Sequence, residues 1–422
     1  MKIDKKLRFV LRALQYKNYR LFFIGQCISL VGTWIQNIAV SWLVYRITHS
    51  PFALGLVGFA SQIPTFLFTP FAGVFVDRCN KRKLLVITQV LAMVQAFTLG
   101  IVVLLNAAAM WQIVFLSVLL GIINALDMPA RHAFVYELVD KKEDISNAIA
   151  LHSSIFNGSR LVGPLIAGVL LSFVNEGVCF LINGISFFAV ILALLSIKIK
   201  EGVPRKEAKA VLEEFKKGFA YAFSSGPIRN ILILVSTVSL MGISYAVLMP
   251  VFAANIFSGG PKTLGFLMSQ AGLGALIGAV YLASRKSVVG LCGDIAVSTA
   301  IIGIGLILFS MSRAIWLSAF LLIITGFGVM VQSAGSSTIL QMIADDDKRG
   351  RLLSIFITSF IGVMPFGALL AGAMADRIGA PNTVMIGGIV CLFVAIFFAR
   401  QLKAFRNVIH PIYVKKGIMA EI

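Results

Sequence analysis

Apolar residues in this chain gather in long runs, and the polar residues between them come in short clusters. Runs near 21–46, 52–76, 84–106, 111–136, 148–173, 177–198, 229–255, 264–284, 290–312, 315–341, 352–375 and 383–401 each hold enough apolar residues for a helix across a bilayer, which takes about 20. Most are separated by only a few residues. The pattern predicts an all-α membrane protein with about twelve transmembrane helices. An even number of spans puts both chain ends on one side.

One interval breaks the rhythm. Residues 199–228 include EGVPRKEAKA and then VLEEFKKGFAYAF, in which Val211, Phe215, Phe219 and Phe223 share a helical face opposite Glu213, Glu214, Lys216 and Lys217. This predicts an amphipathic helix lying on a membrane surface. It divides the chain into a six-helix bundle over 1–199, a linker over 200–228, and a second six-helix bundle with a tail over 229–422.

The two halves repeat each other. Pro51-Phe-Ala-Leu-Gly55 returns as Pro261-Lys-Thr-Leu-Gly265, Trp111 and Gly121 return as Trp316 and Gly326, and Gly163-Pro-Leu-Ile-Ala-Gly168 returns as Gly367-Ala-Leu-Leu-Ala-Gly372. The matches keep their order and a nearly constant offset. Two parallel repeats of six helices are the layout of transporters that rock about a central site.

Composition agrees with the pattern. Of 422 residues, 59% are hydrophobic and 13% charged, more apolar surface than a soluble domain can hide. The formal net charge is +19, but the basic residues lie in short loops, a topology signal and not a nucleic-acid surface. With the N-terminus in the cytoplasm, only Arg46, Lys262, Arg313 and Arg377 fall in outer loops and Arg160 inside a span; every other Lys and Arg is cytoplasmic. The expected location is therefore the cytoplasmic (inner) membrane of a bacterium, with both termini inside. Trp111 and Trp316 open the fourth and tenth spans at the outer interface. Seven basic residues in the first twenty lead into a long apolar span with no small-residue cleavage site, which reads as an uncleaved first helix.

Several chemistries are disfavoured. The five cysteines are scattered without a CxxC pair, and the four histidines show no HExxH spacing, so neither a disulfide framework nor a metal site is expected. No GxxxxGK[ST] motif marks a nucleotide motor, and no cofactor is expected. A membrane enzyme would need a catalytic His–acid pair; His132 and Glu137 form no recognised motif. A sensor would be expected to carry a signalling domain, and none is visible.

Charge is concentrated in the turn between the second and third spans, GVFVDRCNKRK over 73–83. Asp77 can accept backbone amides at a helix N-terminus. Arg78, Lys81 and Arg82 can reach an acid on an adjacent helix, and Asp127 in the fourth span is the best candidate, since a lone carboxylate costs about 2.5–3.5 kcal/mol in a membrane. Asp127 corresponds in the second half to Gln332, and the matching turn there, Ser284-Arg285-Lys286, has no acid. Both acids are missing together, as expected of one latch on one side. The alternative is a basic run that only sets topology.

Other polar residues are embedded. Gln26, Ser29, Thr33, Gln36, Asn37 and Ser41 fall on one face of the first span, a stripe that points to a wet central cavity. Gln332, with Thr325 and Ser336, forms a weaker stripe on the tenth span, and Tyr245 can add an aromatic wall. Arg160 lies mid-membrane without a charged counterpart in the other half, so it either lines a functional cavity or bonds helix carbonyls and polar side chains. Gly163, Pro164 and Gly168 permit close helix contact and a bend.

Gly73-x-x-x-Asp77-Arg78-x-x-x-Arg82-Lys83 resembles the signature loop of the major facilitator superfamily, with Asn80 where that family often has glycine and Lys81 where it often has arginine. GTWIQNIAVSWLVYRITHSPFALGLVGF, DMPARHAFVYELV, NAIALHSSIFNGSRLVGPLIAGVL, CFLINGISF and RGRLLSIF resemble the bacterial branch that contains the enterobactin exporter and macrolide efflux proteins. Arg160 to Gly168 is similar to the GPxxxG signature of exporters. The resemblance implies alternating-access efflux of a mid-sized organic molecule, a siderophore or a drug, by a monomer exchanging it for protons. Asp127 is then the first candidate for coupling. A lipid or lysophospholipid flippase of the same fold is the other transporter reading.

Overall fold

The computed structural model describes residues 9–197, 219–285, 287–345 and 348–403, with 405, 407, 411 and 413 beyond them; the side chains of Thr69, Pro70, Val74 and Asp77 also lie outside the described residues. The chain is helical and, among the described residues, contains no strand. The helices are α1 (Lys17–Thr48), α2 (Pro51–Arg78), α3 (Lys81–Leu104), α4 (Met110–Glu137), α5 (Lys142–Leu170), α6 (Glu176–Ser196), α7 (Gly226–Ile256), α8 (Pro261–Ser284), α9 (Leu291–Met311), α10 (Ile315–Ile343), α11 (Arg349–Ile378) and α12 (Ala380–Arg400). Eleven of these are long and apolar enough to cross a membrane; α5, which carries Arg160, His152 and Asp144, is the twelfth. The expected linker helix falls largely on 198–218, outside the described residues. Phe219 and Phe223 stack at 4.3 Å between ring centroids.

Helix ends follow local chemistry. Asn80 caps α3, its side chain accepting from the Lys83 amide at 3.0 Å, so the residue that replaces the family's usual glycine supplies a cap. Asn175 caps α6 in the same way. Two helices are interrupted. In α7, π-helical turns at Val238–Gly242 and Phe252–Ile256 flank a 3-10 segment over Ser244–Leu248; Gly242 and Pro250 lie in this stretch, where the regular bonding ladder is weakest. In α11, a turn at 361–363 precedes Pro365.

The chain forms two compact units. The first comprises 1–47, 60–208 and 260–269; the second comprises 48–59, 209–259 and 270–422. Each unit is therefore completed by the opening turns of a helix from the other half of the sequence: α8 in the first, α2 in the second. Many large apolar side chains face outward, including Phe75, Phe115, Leu192, Phe320 and Phe393, as lipid-facing helices require. Trp111 and Trp316 are 69% and 77% exposed at the starts of α4 and α10.

Candidate functional site

The polar centre of the first unit is built around Asp127, which is 2% exposed. Thr88 Oγ1 and Gln89 Nε2, adjacent on α3, donate to Asp127 Oδ1 at 2.8 and 2.7 Å. Arg131, one turn further along α4, pairs with Oδ2. The carboxylate is thus neutralised from its own helix and held from a second one. Charge and hydrogen bonds together are what a buried ion needs. Arg131 Nε is itself buried without a partner among the described residues.

This changes the expected latch. Arg78, Lys81 and Arg82 do not take Asp127. Lys81 pairs with Glu137 at 2.7 Å, Arg78 is exposed, and Arg82 donates to the carbonyls of Leu194 and Leu195 at 2.7 and 2.8 Å, at the C-terminal end of α6. The physical reason is reach: Arg131 lies i+4 from Asp127, where side chains on a helix meet. The loop cations instead join α3 to the ends of α4 and α6, the second a place where the helix dipole favours a cation. A Cβ on Gly73 would meet nothing within 4 Å. The side chain of Asp77 is outside the described residues.

The stripe on α1 divides. Gln26, Ser29 and Gln36 are buried, Thr33 is half-buried and Asn37 exposed. Gln36 Nε2 donates to Gln95 Oε1 on α3 at 3.1 Å, and its oxygen accepts from Asn183 Nδ2 on α6 at 2.7 Å. Gln36 is therefore used in a three-helix bond, and Asn37 is the exposed member of the stripe. Both amide atoms of Gln26 are buried without a partner among the described residues. Arg160 is half-buried, and no ion pair or hydrogen bond joins it to another described residue. In the second unit Tyr245 is 5% exposed and Gln332 fully buried. The Gln332 amide and Ser336 Oγ, one turn apart, have no partner among the described residues.

The glycine motifs have a clear packing role. A Cβ on Gly163 would strike Trp34 on α1. A Cβ on Gly168 would lie 3.0 Å from the Pro261 carbonyl and 3.1 Å from Gly265 Cα, while one on Gly265 would strike the Pro164 carbonyl. The repeat reproduces this contact in the second unit. A Cβ on Gly372 would lie 2.7 Å from the Pro51 carbonyl and 2.8 Å from Gly55 Cα. Helices α5 and α8 thus cross at Gly168–Gly265, and α2 and α11 at Gly55–Gly372. Beside the second crossing, Ser50 Oγ approaches Asp376 Oδ1 at 3.4 Å.

Sequence reasoning passed over Arg131, Thr88, Gln89, Gln95 and Asn183. The i, i+4 spacing of Asp127 and Arg131 was a readable signal; the three amides and the hydroxyl gave none before helix neighbours were known. It also passed over Asp144. Tyr16 Oη and Arg12 Nε both donate to it at 2.7 Å, and Asn147 exchanges bonds with the backbone of Val10 and Ala13. The Tyr16 hydroxyl, then Arg12, hold the Asp144 carboxyl below its usual range, and burial and Asp144 raise Tyr16.

The model of the transmembrane secretion effector family matches residues 10–409. The chain belongs to that family. It is 29% identical over 396 residues to the staphyloferrin A transporter of Staphylococcus aureus, covering 91% of this chain and 97% of that one. Against macrolide efflux protein A of Streptococcus pyogenes the identity is 22% over 398 residues, with 90% and 96% covered. Against the enterobactin exporter of Escherichia coli it is 23% over 394 residues, with 92% and 93% covered. Among solved structures, a peptide transporter of the POT family matches with a TM-score of 0.74 at 12% identity, covering 93% and 95%. A bacterial homologue of ferroportin in an inward-facing state matches at 0.70 and 16%, covering 91% and 98%. These structures establish the fold. The secretion effector chain is a multi-pass membrane transporter of the major facilitator superfamily, not an enzyme, and its relatives are bacterial efflux transporters.

Proposed function

We propose that this protein exports a mid-sized organic anion, of the siderophore or drug class, from the cytoplasm in exchange for protons, with both termini inside the cell. The observation that carries the anion is Arg160. A guanidinium in the middle of a spanning helix is costly without a partner, and its half-exposed state leaves it available to a carboxylate or a similar group of the cargo. The relatives that handle siderophores and macrolides support the size class. Thr33 and Asn37, the stripe residues that remain accessible, belong to the same cavity. Transport proceeds by alternating access. The α5–α8 and α2–α11 crossings are the contacts that open, because backbones that touch at glycine separate without unlocking interdigitated side chains. The Lys81–Glu137 pair and the Arg82 contact with α6, in the loop that also holds Gly73, Asp77 and Arg78, hold the other end.

The test is flux in proteoliposomes under an imposed pH gradient, across staphyloferrin A, enterobactin, a macrolide and a lysophospholipid. A carboxylate-bearing siderophore is expected to move, and Arg160→Ala is expected to lower that flux at least tenfold while leaving folding intact. Equal flux in the variant would remove the anion site. Movement of the lysophospholipid alone would make the protein a flippase.

A further inference from the structure

A hollow of about 290 Å³ opens in the second unit between α7 and α11. Ile233 and Thr237 of α7 and Ile355 and Thr358 of α11 form its walls, and Phe219 and Phe223, ahead of α7, complete the lining. Both phenyl rings are exposed, as is Ile233. Thr237 Oγ1 donates to the Ile233 carbonyl at 2.8 Å and Thr358 Oγ1 to the Ser354 carbonyl at 2.9 Å. Their hydroxyls are thus spent on their own helices, and the walls are mostly apolar. The hollow ends where both helices are interrupted: the π-helical turn at Val238–Gly242 follows Thr237, and the turn at 361–363 follows Phe360. There Ser239 Oγ donates to the Phe360 carbonyl and ties the two helices together. Arginines stand at the other end. Arg229, in the first turn of α7, and Arg351, in the first turn of α11, lie four residues before the wall residues Ile233 and Ile355 and so share their helical faces. Each is about 12 Å along its helix from the last lining residue, Thr237 and Ser359. Arg229 is exposed and Arg351 half-buried. Asp345, the acid that precedes α11, is already paired with Lys348 at 2.8 Å.

We propose that this hollow is a binding site for one anionic phospholipid, with an acyl chain along the apolar walls and the phosphate on Arg229 and Arg351. The apolar part alone selects nothing, because a lipid tail meets the same apolar surroundings in the bilayer as against a helix. A concavity in that medium is nevertheless filled, since an empty one forfeits the dispersion contacts of its lining. Selection comes from the charged end. Two guanidinium groups at the mouth of a hollow between spanning helices match a phosphate in charge and in hydrogen-bond geometry, and basic pockets of this kind take anionic headgroups. The order along each wall is the order along a phospholipid: cation at the helix end, apolar surface below it. Bound there, the lipid lies against the first turns of two interrupted helices and braces them on one side of their breaks, opposite the Ser239–Phe360 tie. The site is separate from Arg160 and from the polar centre around Asp127, and it holds whatever the cargo is.

The experiment uses the full chain, purified and delipidated in detergent, with phosphatidylglycerol and phosphatidylcholine of identical acyl chains, each also made with a photoactivatable diazirine in one chain. Phosphatidylglycerol is expected to cross-link to peptides containing 233–237 and 355–359, and unlabelled phosphatidylglycerol to compete at least tenfold better than phosphatidylcholine. Arg229→Gln and Arg351→Gln should each weaken binding about fivefold, and the double variant should lose the preference. Phosphatidylglycerol should raise the thermal midpoint of wild type and not that of the double variant. Thr237→Trp, which fills the hollow and keeps both arginines, should lose the cross-links. Equal labelling by the two lipids would mean ordinary boundary lipid and overturn the proposal, as would an unchanged preference in the double variant. Cross-links displaced by a cargo that the wild type transports would make the hollow a cargo entrance and overturn it too. Should the double variant fail to fold, wild type decides alone: its preference must fall as salt rises, and a preference indifferent to salt would overturn the proposal.

Discussion

At the scale of single residues, Asp127 and Arg131 form the most consequential pair. A buried ion pair broken on one side leaves the other charge stranded, at about 3–5 kcal/mol. Asp127→Asn is therefore expected to lower the thermal midpoint in detergent by several degrees and transport at least tenfold. Asp127→Asn with Arg131→Gln should recover the midpoint and not the transport; scanning calorimetry beside a flux assay separates the two. The N-terminal segment offers a pH test. Asp144 is held below the usual carboxylate range by Tyr16 first and Arg12 second, so its contribution to docking is complete above about pH 4 and is lost as the pH falls through the depressed value. Tyr16 is raised, so its contribution is complete below about pH 10 and is lost above it. Exchange of the Ala13 amide, which donates to Asn147 Oδ1 at 3.0 Å, corrected for its intrinsic pH dependence, should be slow between these limits and faster outside them. Tyr16→Phe should raise it within them.

At the scale of helices, most of the architecture was legible because hydropathy is a property of whole segments. Helix α5 shows where that signal weakens: its apolar run over 148–173 is the one broken by His152 and Arg160, and α5 alone of the twelve is not among the eleven most apolar helices. The charged loop was legible as a feature, but not the partners that Lys81 and Arg82 take. Arg78, Lys81 and Arg82 lie near Asp127 in any sketch of the topology, yet which cation reaches an acid depends on angstroms that only the packed helices set. Gln36 is a second case. Its place on a polar face was correct, but Gln95 and Asn183 turn that face into an interhelical bond. The repeat gives a further prediction. Where α4 holds the Asp127 pair, α10 holds Gln332 and Ser336 with no partner among the described residues. A buried polar group left unbonded costs about 1–3 kcal/mol. Gln332→Met is expected to raise the thermal midpoint, and a lower midpoint would show that the amide is bonded in the membrane. The crossings behave differently. Gly265→Leu has no room against Pro164 and Gly168, so α8 must move off α5; the variant is expected to insert normally and lose most of its flux.

At the scale of the whole molecule, each of the two compact units is completed by the first turns of a helix from the other half of the chain. The exchanged tips, 48–59 and 260–269, are the segments that carry Gly55 and Gly265, so the repeat that was visible as a sequence echo is also the repeat that builds the two crossings. On the proposed reading, these tips leave their present seats in every cycle. Cysteines at Ser50 and Asp376, whose side chains approach at 3.4 Å, placed in a chain freed of its five native cysteines, report on that step directly. Oxidation of the pair is expected to stop flux in proteoliposomes and reduction to restore it; transport that continues with the cross-link closed would contradict the account.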